Sequence, residues 1–202
     1  TYDLVPDDEA RADFVMPEFV SKMIEGKMLG KKTKAGFYKT DLTPEWKKIR
    51  KVIDPATLDH AEYGKVDLPC LAAAKAAKSL PEKMKAVVFG DDKGARFAWK
   101  AIASNLIYAA NRIPEISDTI VEIDNAMRWG FNFEMGPFET WDAIGVEDAV
   151  AKMEAGGLTV PEAVKSMLAA GNHSFYKLEN GNPYYYDFSS GGYQPVKISG
   201  NI

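Results

Sequence analysis

Apolar residues recur at helical spacing along much of this chain. They predict an amphipathic helix from Pro17 to Leu29, and two helices between Leu68 and Phe89, where Ala, Lys and Leu dominate. Residues 95–113 form the most apolar predicted helix. Large side chains surround most of its circumference, which is typical of a central, buried helix.

Capping and stop residues predict the helices that follow. Ser117 favours the start of a helix over 117–129, and Gly130 favours its end. Two further helices are expected, over 137–145, where proline occupies the first turn, and over 146–155.

The last part of the chain combines a helix start with a hairpin pattern. Residues 159–162, Thr-Val-Pro-Glu, have the spacing of a capping box and predict one more helix. Two aromatic stretches, 184–188 and 193–196, flank a Gly-Gly pair and predict a small β-hairpin.

Shorter elements are expected between the first helix and the Ala-rich region. Residues 44–52 are predicted to form a short helix around Trp46, and residues 54–57 a turn. Residues 63–66 are expected to be a short extended piece.

The chain also contains an internal repeat. Residues 17–24, Pro-Glu-Phe-Val-Ser-Lys-Met-Ile, match residues 161–168, Pro-Glu-Ala-Val-Lys-Ser-Met-Leu. Phe-Tyr-Lys then follows in both copies, but Phe37 comes 20 positions after Pro17 whereas Phe175 comes 14 positions after Pro161. The second copy has therefore lost most of the Gly/Lys loop of the first.

The two copies differ in what precedes them. Several predicted helices, over 95–157, precede the second Pro-Glu helix, whereas 16 residues precede the first. We therefore expect residues 1–66 to be the tail of one module with a linker. Residues 67–202 are expected to be a second, complete module.

Composition narrows the classes of partner and location. The 202 residues are 46% hydrophobic and 27% charged, with a formal net charge of −4, which argues against nucleic acid or an anionic membrane as the main partner. No apolar run is long enough for a membrane span, and the acidic stretch after Thr1 is unlike a signal peptide. One cysteine, Cys70, precludes an internal disulfide and is consistent with a cytoplasmic location.

The loop from Gly26 to Thr33 superficially resembles a phosphate-binding loop. Three residues separate its glycines, where that pattern requires four, and a helix precedes it instead of a strand. The favoured interpretation is a helix C-cap with lysines near the negative end of the helix. A role for Lys27, Lys31, Lys32 and Lys34 in holding a substrate phosphate stays open.

Other candidate groups also have structural interpretations. Glu134, Glu139 and Asp142 could be catalytic carboxylates, but Glu139 would complement the dipole of its own helix. The amides of Asn105 and Asn111 and the indoles are most simply core groups, and the indoles are Trp99, Trp129 and Trp141. Two distant histidines, His60 and His173, and one cysteine are too few for a His/Cys zinc site.

Three stretches together resemble the C-terminal module of the 3-hydroxyacyl-CoA dehydrogenase family. Residues 29–38 read Leu-Gly-Lys-Lys-Thr-Lys-Ala-Gly-Phe-Tyr, residues 123–130 read Ile-Asp-Asn-Ala-Met-Arg-Trp-Gly, and residues 135–142 read Met-Gly-Pro-Phe-Glu-Thr-Trp-Asp. The last two, in this order and spacing, are the more specific.

The resemblance implies an all-α fold, a helical bundle of the 6-phosphogluconate-dehydrogenase C-terminal-domain-like type with short β-hairpin pieces. Members of the family pair this helical domain with a Rossmann domain that binds NAD and supplies a catalytic His–Glu pair. Longer members carry two helical modules in tandem. The chain is thus expected to include the tail of the first module and all of the second.

Departures from the family limit what is carried over. No G-x-G-x-x-G pattern is present, and the family's catalytic His and Glu have no match. The family's substrate-facing asparagine would fall near Trp99 or Lys100 here. We therefore assign no catalytic, cofactor-binding or metal-binding residue, and expect the chain alone to bind no cofactor and to be inactive.

The resemblance leads to a functional hypothesis. The parent would be an NAD-dependent oxidoreductase of fatty-acid β-oxidation that converts 3-hydroxyacyl-CoA to 3-ketoacyl-CoA. The chain's partners would be the parent's Rossmann domain and first helical module, with acyl-CoA as the parent's substrate; homo-oligomer formation stays open. The alternative is a free-standing, non-catalytic helical interaction or scaffold protein derived from such a module.

Overall fold

The computed structural model describes residues 2–64 and 66–197. The chain divides into two compact units, one of residues up to Asp67 and one of residues from Leu68. Each unit is described by itself.

The first unit places one α-helix before a small sheet. Short 3-10 turns occur at Arg11–Phe14 and Lys31–Thr33. The regular elements are α1 (Glu18–Glu25), β1 (Tyr38–Leu42), β2 (Lys48–Ile53) and β3 (His60–Glu62). The strands form an antiparallel sheet in the order β1-β2-β3.

The helix predicted over residues 44–52 is wrong, because these residues form the turn and second strand of a hairpin. Leu42 pairs with Lys48, and the Thr43 N–H donates to the Lys47 carbonyl at 2.8 Å. Pro44 fits the second position of a turn, where its fixed φ is favourable. The expected extended piece at 63–66 includes Lys65, outside the described residues; the strand lies earlier, at His60–Glu62.

The loop after α1 is a helix C-cap, as expected. Gly26 follows the last helical residue, and Lys27 adopts a left-handed conformation with φ 57°. The Met28 N–H donates to the Met23 carbonyl at 2.8 Å, the closing bond of a Schellman-type end. Helix α1 is therefore shorter than predicted.

The second unit contains seven α-helices and three strands within its described residues. These are α2 (Pro69–Ala76), α3 (Leu80–Val88), α4 (Lys93–Asn111), α5 (Ile120–Phe131), α6 (Pro137–Ile144), α7 (Val146–Ala155), α8 (Glu162–Ala169), β4 (Tyr176–Glu179), β5 (Asn182–Asp187) and β6 (Gly192–Pro195). The strands form an antiparallel sheet in the order β4-β5-β6, which confirms the hairpin predicted near the end of the chain.

Helix α6 is the centre of this unit. It packs against α3, α4, α5 and α7, and Phe138, Trp141 and Ile144 on it are fully buried. Phe175, just before β4, lies 5.0 Å from the Phe138 ring and 5.3 Å from the Trp141 ring, measured between centroids. Helix α6 and the sheet therefore share one aromatic core, whose burial stabilises the unit by about 25 cal/mol per Å².

Three predicted helix features differ in the structure. Thr119, not Ser117, caps α5 by accepting the Glu122 N–H, and α5 continues through Gly130 until Asn132 turns left-handed. The capping box predicted at residues 159–162 is wrong, since Pro161 begins α8 with no side-chain bond.

Helix α4 is buried on one face only. Its buried residues are mostly alanines, whereas Phe97 is 76% exposed. The expectation of an all-round buried helix was therefore wrong, because small side chains, not the largest ones, face the core.

A largely helical architecture is confirmed for the second unit. The short β-hairpin pieces expected beside the helices are three-stranded antiparallel sheets, one in each unit. The more specific fold-type name stays a prediction.

The repeat extends to matching hydrogen bonds. The Ile53 N–H donates to the Phe37 carbonyl at 3.0 Å, and the Tyr186 N–H donates to the Phe175 carbonyl at 2.7 Å. In both copies a helix thus precedes an antiparallel sheet, and the second strand donates a hydrogen bond to the corresponding phenylalanine.

The copies differ in how far that phenylalanine is buried. Phe175 is fully buried, whereas Phe37 is 53% exposed. We expect Phe175→Ala to lower the free energy of unfolding by about 3–5 kcal/mol, because it opens a cavity in the aromatic core. Phe37→Ala, the matched control, should lower it by less than about 1.5 kcal/mol. Urea denaturation would measure both, and equal effects would contradict the difference in packing.

Candidate functional site

The two family-like motifs of the second unit meet at helix α6. The first motif forms much of α5, and the second forms the residues before α6 and most of α6 itself. Their acidic side chains bind the two ends of α6 and the start of β4, so the candidate site is a network of carboxylates around the buried Asp124.

Asp124 joins three elements through one carboxylate. Its Oδ1 accepts the Phe138 N–H at 2.9 Å, and its Oδ2 accepts the Glu139 N–H at 3.1 Å. The Tyr176 hydroxyl also donates to Oδ2, at 2.8 Å. Asp124 is only 2% exposed, and this side chain from α5 accepts two N–H groups of the first turn of α6, which have no partner within the helix itself.

Asp142 performs the corresponding task near the other end of α6. Its Oδ1 accepts the Phe175 N–H at 2.7 Å and its Oδ2 accepts the Tyr176 N–H at 2.8 Å. These bonds satisfy the backbone donors of the segment entering β4. The carboxylate therefore fixes the position of the strand against the helix.

Glu139 completes the network on its exposed side. One oxygen accepts the Gly136 N–H at 2.8 Å, while the other lies 3.1 Å from Nη1 of Arg128. Arg128 is one turn after Asp124 on α5. The pair is part-exposed, so its contribution to stability is modest.

Gly136 allows α5 and α6 to approach closely. A Cβ at this position would lie 2.4 Å from the Cα, Cβ and Oδ1 atoms of Asp124. Real Cβ atoms do not approach other atoms so closely, so glycine is required by space rather than by an unusual φ.

Burial shifts the acid–base behaviour of the network. Burial raises the pKa of Asp124 to about 7, although hydrogen bonds from Phe138, Tyr176 and Glu139 act in the opposite direction. Burial likewise raises the pKa of Asp142 to about 6. The pKa of the Tyr176 hydroxyl is raised by burial and by the neighbouring Asp124. Burial shifts the protonation equilibrium of all three groups towards the neutral form, because the surroundings solvate charge poorly.

A cavity of about 620 Å³ lies beside this network. Its walls are mostly apolar and come from α3, α4 and the loop before α6, including Met84, Ile102 and Phe133. Gly136 and Pro137 line it at the start of α6, so the network supports one wall of the cavity.

The groups proposed from sequence are distributed differently. Glu134 lines the cavity but is exposed, Glu139 caps its own helix as expected, and Asp142 holds β4. The core interpretation is wrong for Trp129, which is 79% exposed, and Asn105 is also exposed.

The two histidines each lie close to one oxygen atom of another residue. His60 Nε2 lies 2.8 Å from the Gly36 carbonyl, and His173 Nδ1 lies 3.0 Å from a Glu147 oxygen. Within residues 2–64 and 66–197, no group of three or more His, Cys, Asp or Glu side chains is placed to hold a metal ion. In that same part of the chain, no helix has the length and apolar character to cross a bilayer.

The sequence patterns did not predict a role for two members of the network. Asp124 stood within the quoted motif without a role of its own, and Tyr176 was noted only as part of the repeat. A usable signal existed for Asp124, because an acid within a mostly apolar helix needs a partner.

Comparisons with known proteins agree with the motifs. Residues 97–174 match the family model of the 3-hydroxyacyl-CoA dehydrogenase C-terminal domain. These residues belong to that family. They include α5, α6 and both motifs, so the family assignment made from sequence is confirmed.

Individual relatives extend the likeness to most of the chain. A Bacillus subtilis protein named as a probable 3-hydroxyacyl-CoA dehydrogenase is 43% identical over 196 residues, 97% of this chain and 24% of the relative. A Rickettsia felis protein named as a putative fatty acid oxidation complex trifunctional enzyme is 30% identical over 126 residues, 62% of this chain and 16% of the relative.

The Rickettsia prowazekii protein of the same name is 28% identical over 133 residues, 65% of this chain and 17% of the relative. The chain thus spans about a quarter or less of the curated relatives it matches. No solved structure matches it significantly.

The close approach of Gly136 to Asp124 predicts that a larger side chain at position 136 destabilises this 3-hydroxyacyl-CoA dehydrogenase C-terminal domain. We expect Gly136→Ala to lower the free energy of unfolding by about 2 kcal/mol or more, because the new methyl overlaps Asp124. Gly130→Ala is the control: Gly130 lies in α5 with no atom near its added Cβ, and alanine there should be neutral or stabilising by up to about 1 kcal/mol. Chemical denaturation measures both, and a neutral Gly136→Ala would contradict the packing.

The raised pKa of Asp124 predicts a pH dependence of stability. Its pKa is about 7 in the folded protein and ordinarily 3.8, so its contribution is fully present below about pH 4 and is lost as pH rises through 7. We therefore expect stability to fall between pH 4 and 7. Asp124→Asn should flatten this slope by roughly 1 kcal/mol per pH unit.

Asp187→Asn is the control for this pH series. Burial alone would raise the pKa of Asp187, but hydrogen bonds from Ser190 and Ser189 hold it below its ordinary value. Its pH dependence therefore lies below about pH 4, and the variant should keep the slope between pH 4 and 7. Thermal unfolding across this range would contradict the assignment if Asp124→Asn kept the full slope.

Proposed function

We propose that the chain is a C-terminal region of a 3-hydroxyacyl-CoA dehydrogenase whose task is to pack within a larger parent enzyme. Residues 67–202 would be a complete second helical module, and residues 1–66 the tail of a first module with a linker. The parent would act in fatty-acid β-oxidation in the cytoplasm.

The observation that supports this proposal is that the carboxylates of the two motifs accept hydrogen bonds from within the fold. Asp124 accepts three hydrogen bonds, from the Phe138 and Glu139 N–H groups and the Tyr176 hydroxyl, and Asp142 accepts two, from the Phe175 and Tyr176 N–H groups. Side chains committed in this way hold a helix and a strand together. The most family-specific stretches are therefore devoted to building the module.

An apolar patch supports a packing role. Phe131 and Phe133, at the end of α5 and just beyond it, are 69% and 51% exposed, and their ring centroids lie 6.2 Å apart. Large aromatic side chains in contact with each other at a solvent-facing surface are typical of an interaction site. We infer that another part of the parent, its Rossmann domain or first helical module, covers this α5-end patch.

The parent's chemistry follows from the family resemblance. NAD would accept hydride from C3 of a 3-hydroxyacyl-CoA while a histidine of the Rossmann domain takes the hydroxyl proton, giving the 3-ketoacyl-CoA. Both NAD and the histidine would belong to the Rossmann domain. The names of the Bacillus and Rickettsia relatives agree with this class of reaction.

Two measurements test the proposal. Sequencing the gene upstream of Thr1 should reveal an in-frame dinucleotide-binding domain; a start codon at this point would favour the free-standing scaffold protein instead. Calorimetry on the isolated chain should show no NAD binding, and assays should show no 3-hydroxyacyl-CoA oxidation. Micromolar NAD binding or turnover by the isolated chain would contradict the proposal.

The α5-end patch gives a mutational prediction. We expect Phe131→Asp with Phe133→Asp to change the stability of the isolated chain by less than about 1 kcal/mol, because both rings are largely exposed. In the full-length parent the same change should lower thermal stability and activity, since it places charge in a buried interface. Leu178→Asp, at a site 75% exposed outside the patch, is the control. Equal behaviour of both variants in the parent would exclude the interface.

A further inference from the structure

The hairpin of the first unit, residues 38–53, is longer than its counterpart in the second. Tyr38 pairs with Val52 fourteen residues later, whereas Tyr176 pairs with Tyr185 nine residues later. The copies agree at the base of the hairpin, where the second strand bonds back to the matching phenylalanine. The extra residues therefore lengthen its tip.

The turns at the two tips are built differently. The second copy turns at Asn180 and Gly181, with φ of 51° and 80°, the residues preferred in tight hairpins. The first copy turns through Pro44, Glu45 and Trp46, and Trp46 holds the left-handed position with φ 60°. Glycine is the usual residue at this point of a three-residue turn.

Trp46 is therefore placed at an energetic disadvantage. A bulky residue with positive φ is uncommon and strained, and no burial compensates for it, because the side chain is 82% exposed. A large aromatic side chain at an exposed and strained position does not stabilise the fold, which indicates that Trp46 contacts a partner.

The hairpin also sorts its charges by face. Asp41 lies between Lys39 and Lys51, at 3.2 and 2.9 Å, on one face. On the opposite face the register aligns Leu42 with Lys48, both exposed.

That second face continues towards the base of the hairpin. The Arg50 guanidinium lies 3.9 Å above the Tyr38 ring centroid. Tyr38 is 51% exposed and Leu42 is 55% exposed. This face thus combines exposed apolar side chains with cationic ones, while Asp41 lies on the other face and Glu45 in the turn.

The surrounding sequence is strongly basic although the chain is acidic overall. Residues 27–51 contain nine Lys and Arg against two acids, while the net charge of the chain is −4. Local charge governs contact with a surface, because charges beyond roughly 10 Å are screened at physiological salt. The acidic net charge therefore does not exclude an anionic partner at this hairpin.

We propose that the tip of this hairpin binds the surface of an anionic phospholipid membrane. Trp46 would enter the interface between headgroups and acyl chains, where tryptophan is favoured. Lys47, Lys48 and Arg50 would contact the anionic headgroups, each lysine or arginine strengthening binding about fivefold. An exposed indole beside cationic side chains suits the membrane interface, whereas proteins bind single-stranded nucleic acid along a basic groove with several stacking aromatic rings. This inference does not depend on the proposed dehydrogenase function.

Vesicle co-sedimentation of the 202-residue chain tests this proposal. We expect binding to phosphatidylglycerol–phosphatidylcholine vesicles at low salt, little binding to pure phosphatidylcholine, and release as salt rises. Tryptophan emission should shift to the blue on binding. Equal binding to neutral vesicles, or none to anionic ones, would overturn the proposal, as would binding to single-stranded RNA in place of vesicles.

Trp46→Gly separates this role from a structural one. Glycine adopts the left-handed conformation without strain, so the variant should be as stable as the native chain or more so. It should nevertheless bind vesicles roughly tenfold more weakly, through loss of the buried indole, and lose the blue shift. Native-like vesicle binding by Trp46→Gly would overturn the proposal.

Two further variants complete the test. Lys47→Glu with Lys48→Glu should weaken vesicle binding at least about tenfold through charge alone, which keeps the test decisive if the turn variant folds poorly. Leu178→Ala changes a residue 75% exposed in the matching hairpin of the second copy and should bind as the native chain does. A loss equal to that of Trp46→Gly would show that the tip is not specific.

Discussion

The packing of the second unit depends on one buried carboxylate. Asp124 caps the N-terminus of α6 from a neighbouring helix and receives the hydroxyl of Tyr176, so α5, α6 and the sheet meet at a single side chain. Burying this group is costly, as its raised pKa shows, and the three hydrogen bonds offset that cost. Gly136 is a consequence, because only glycine leaves room for the carboxylate.

The first copy of the repeat shows which parts of the module form without a hydrogen-bond network like the one around Asp124. In the first copy, α1 and its sheet form with matching backbone bonds, yet Phe37 is half exposed where Phe175 is fully buried. The helix and sheet are thus a local supersecondary unit, and the helices around Asp124 provide its cover in the second copy. The first copy also differs in its longer, strained and basic hairpin, which points to a task of its own.

Sequence patterns predicted the helices of the second unit well, because proline, capping residues and apolar periodicity act locally. The prediction was wrong at residues 44–52, because apolar side chains at helical spacing do not exclude a hairpin. There the turn at Pro44 and the pairing of the two strands determine the structure. Sequence patterns also misplaced Trp129 and Phe97, since burial depends on which helix faces meet. The role of Asp124 could be suspected from an acid in an apolar helix, but its partners are 14 to 52 residues away and only the fold brings them together.

The motif acid Asp124 thus holds the second unit together through α6 and Tyr176. A double-mutant cycle with Asp124→Ala and Tyr176→Phe, measured by urea denaturation, tests this role most directly, because each change removes one partner of the hydrogen bond and the cycle isolates their coupling. We expect a coupling energy of about 1–3 kcal/mol, as for a buried hydrogen bond to a carboxyl group. Additive effects, with a coupling near zero, would contradict it.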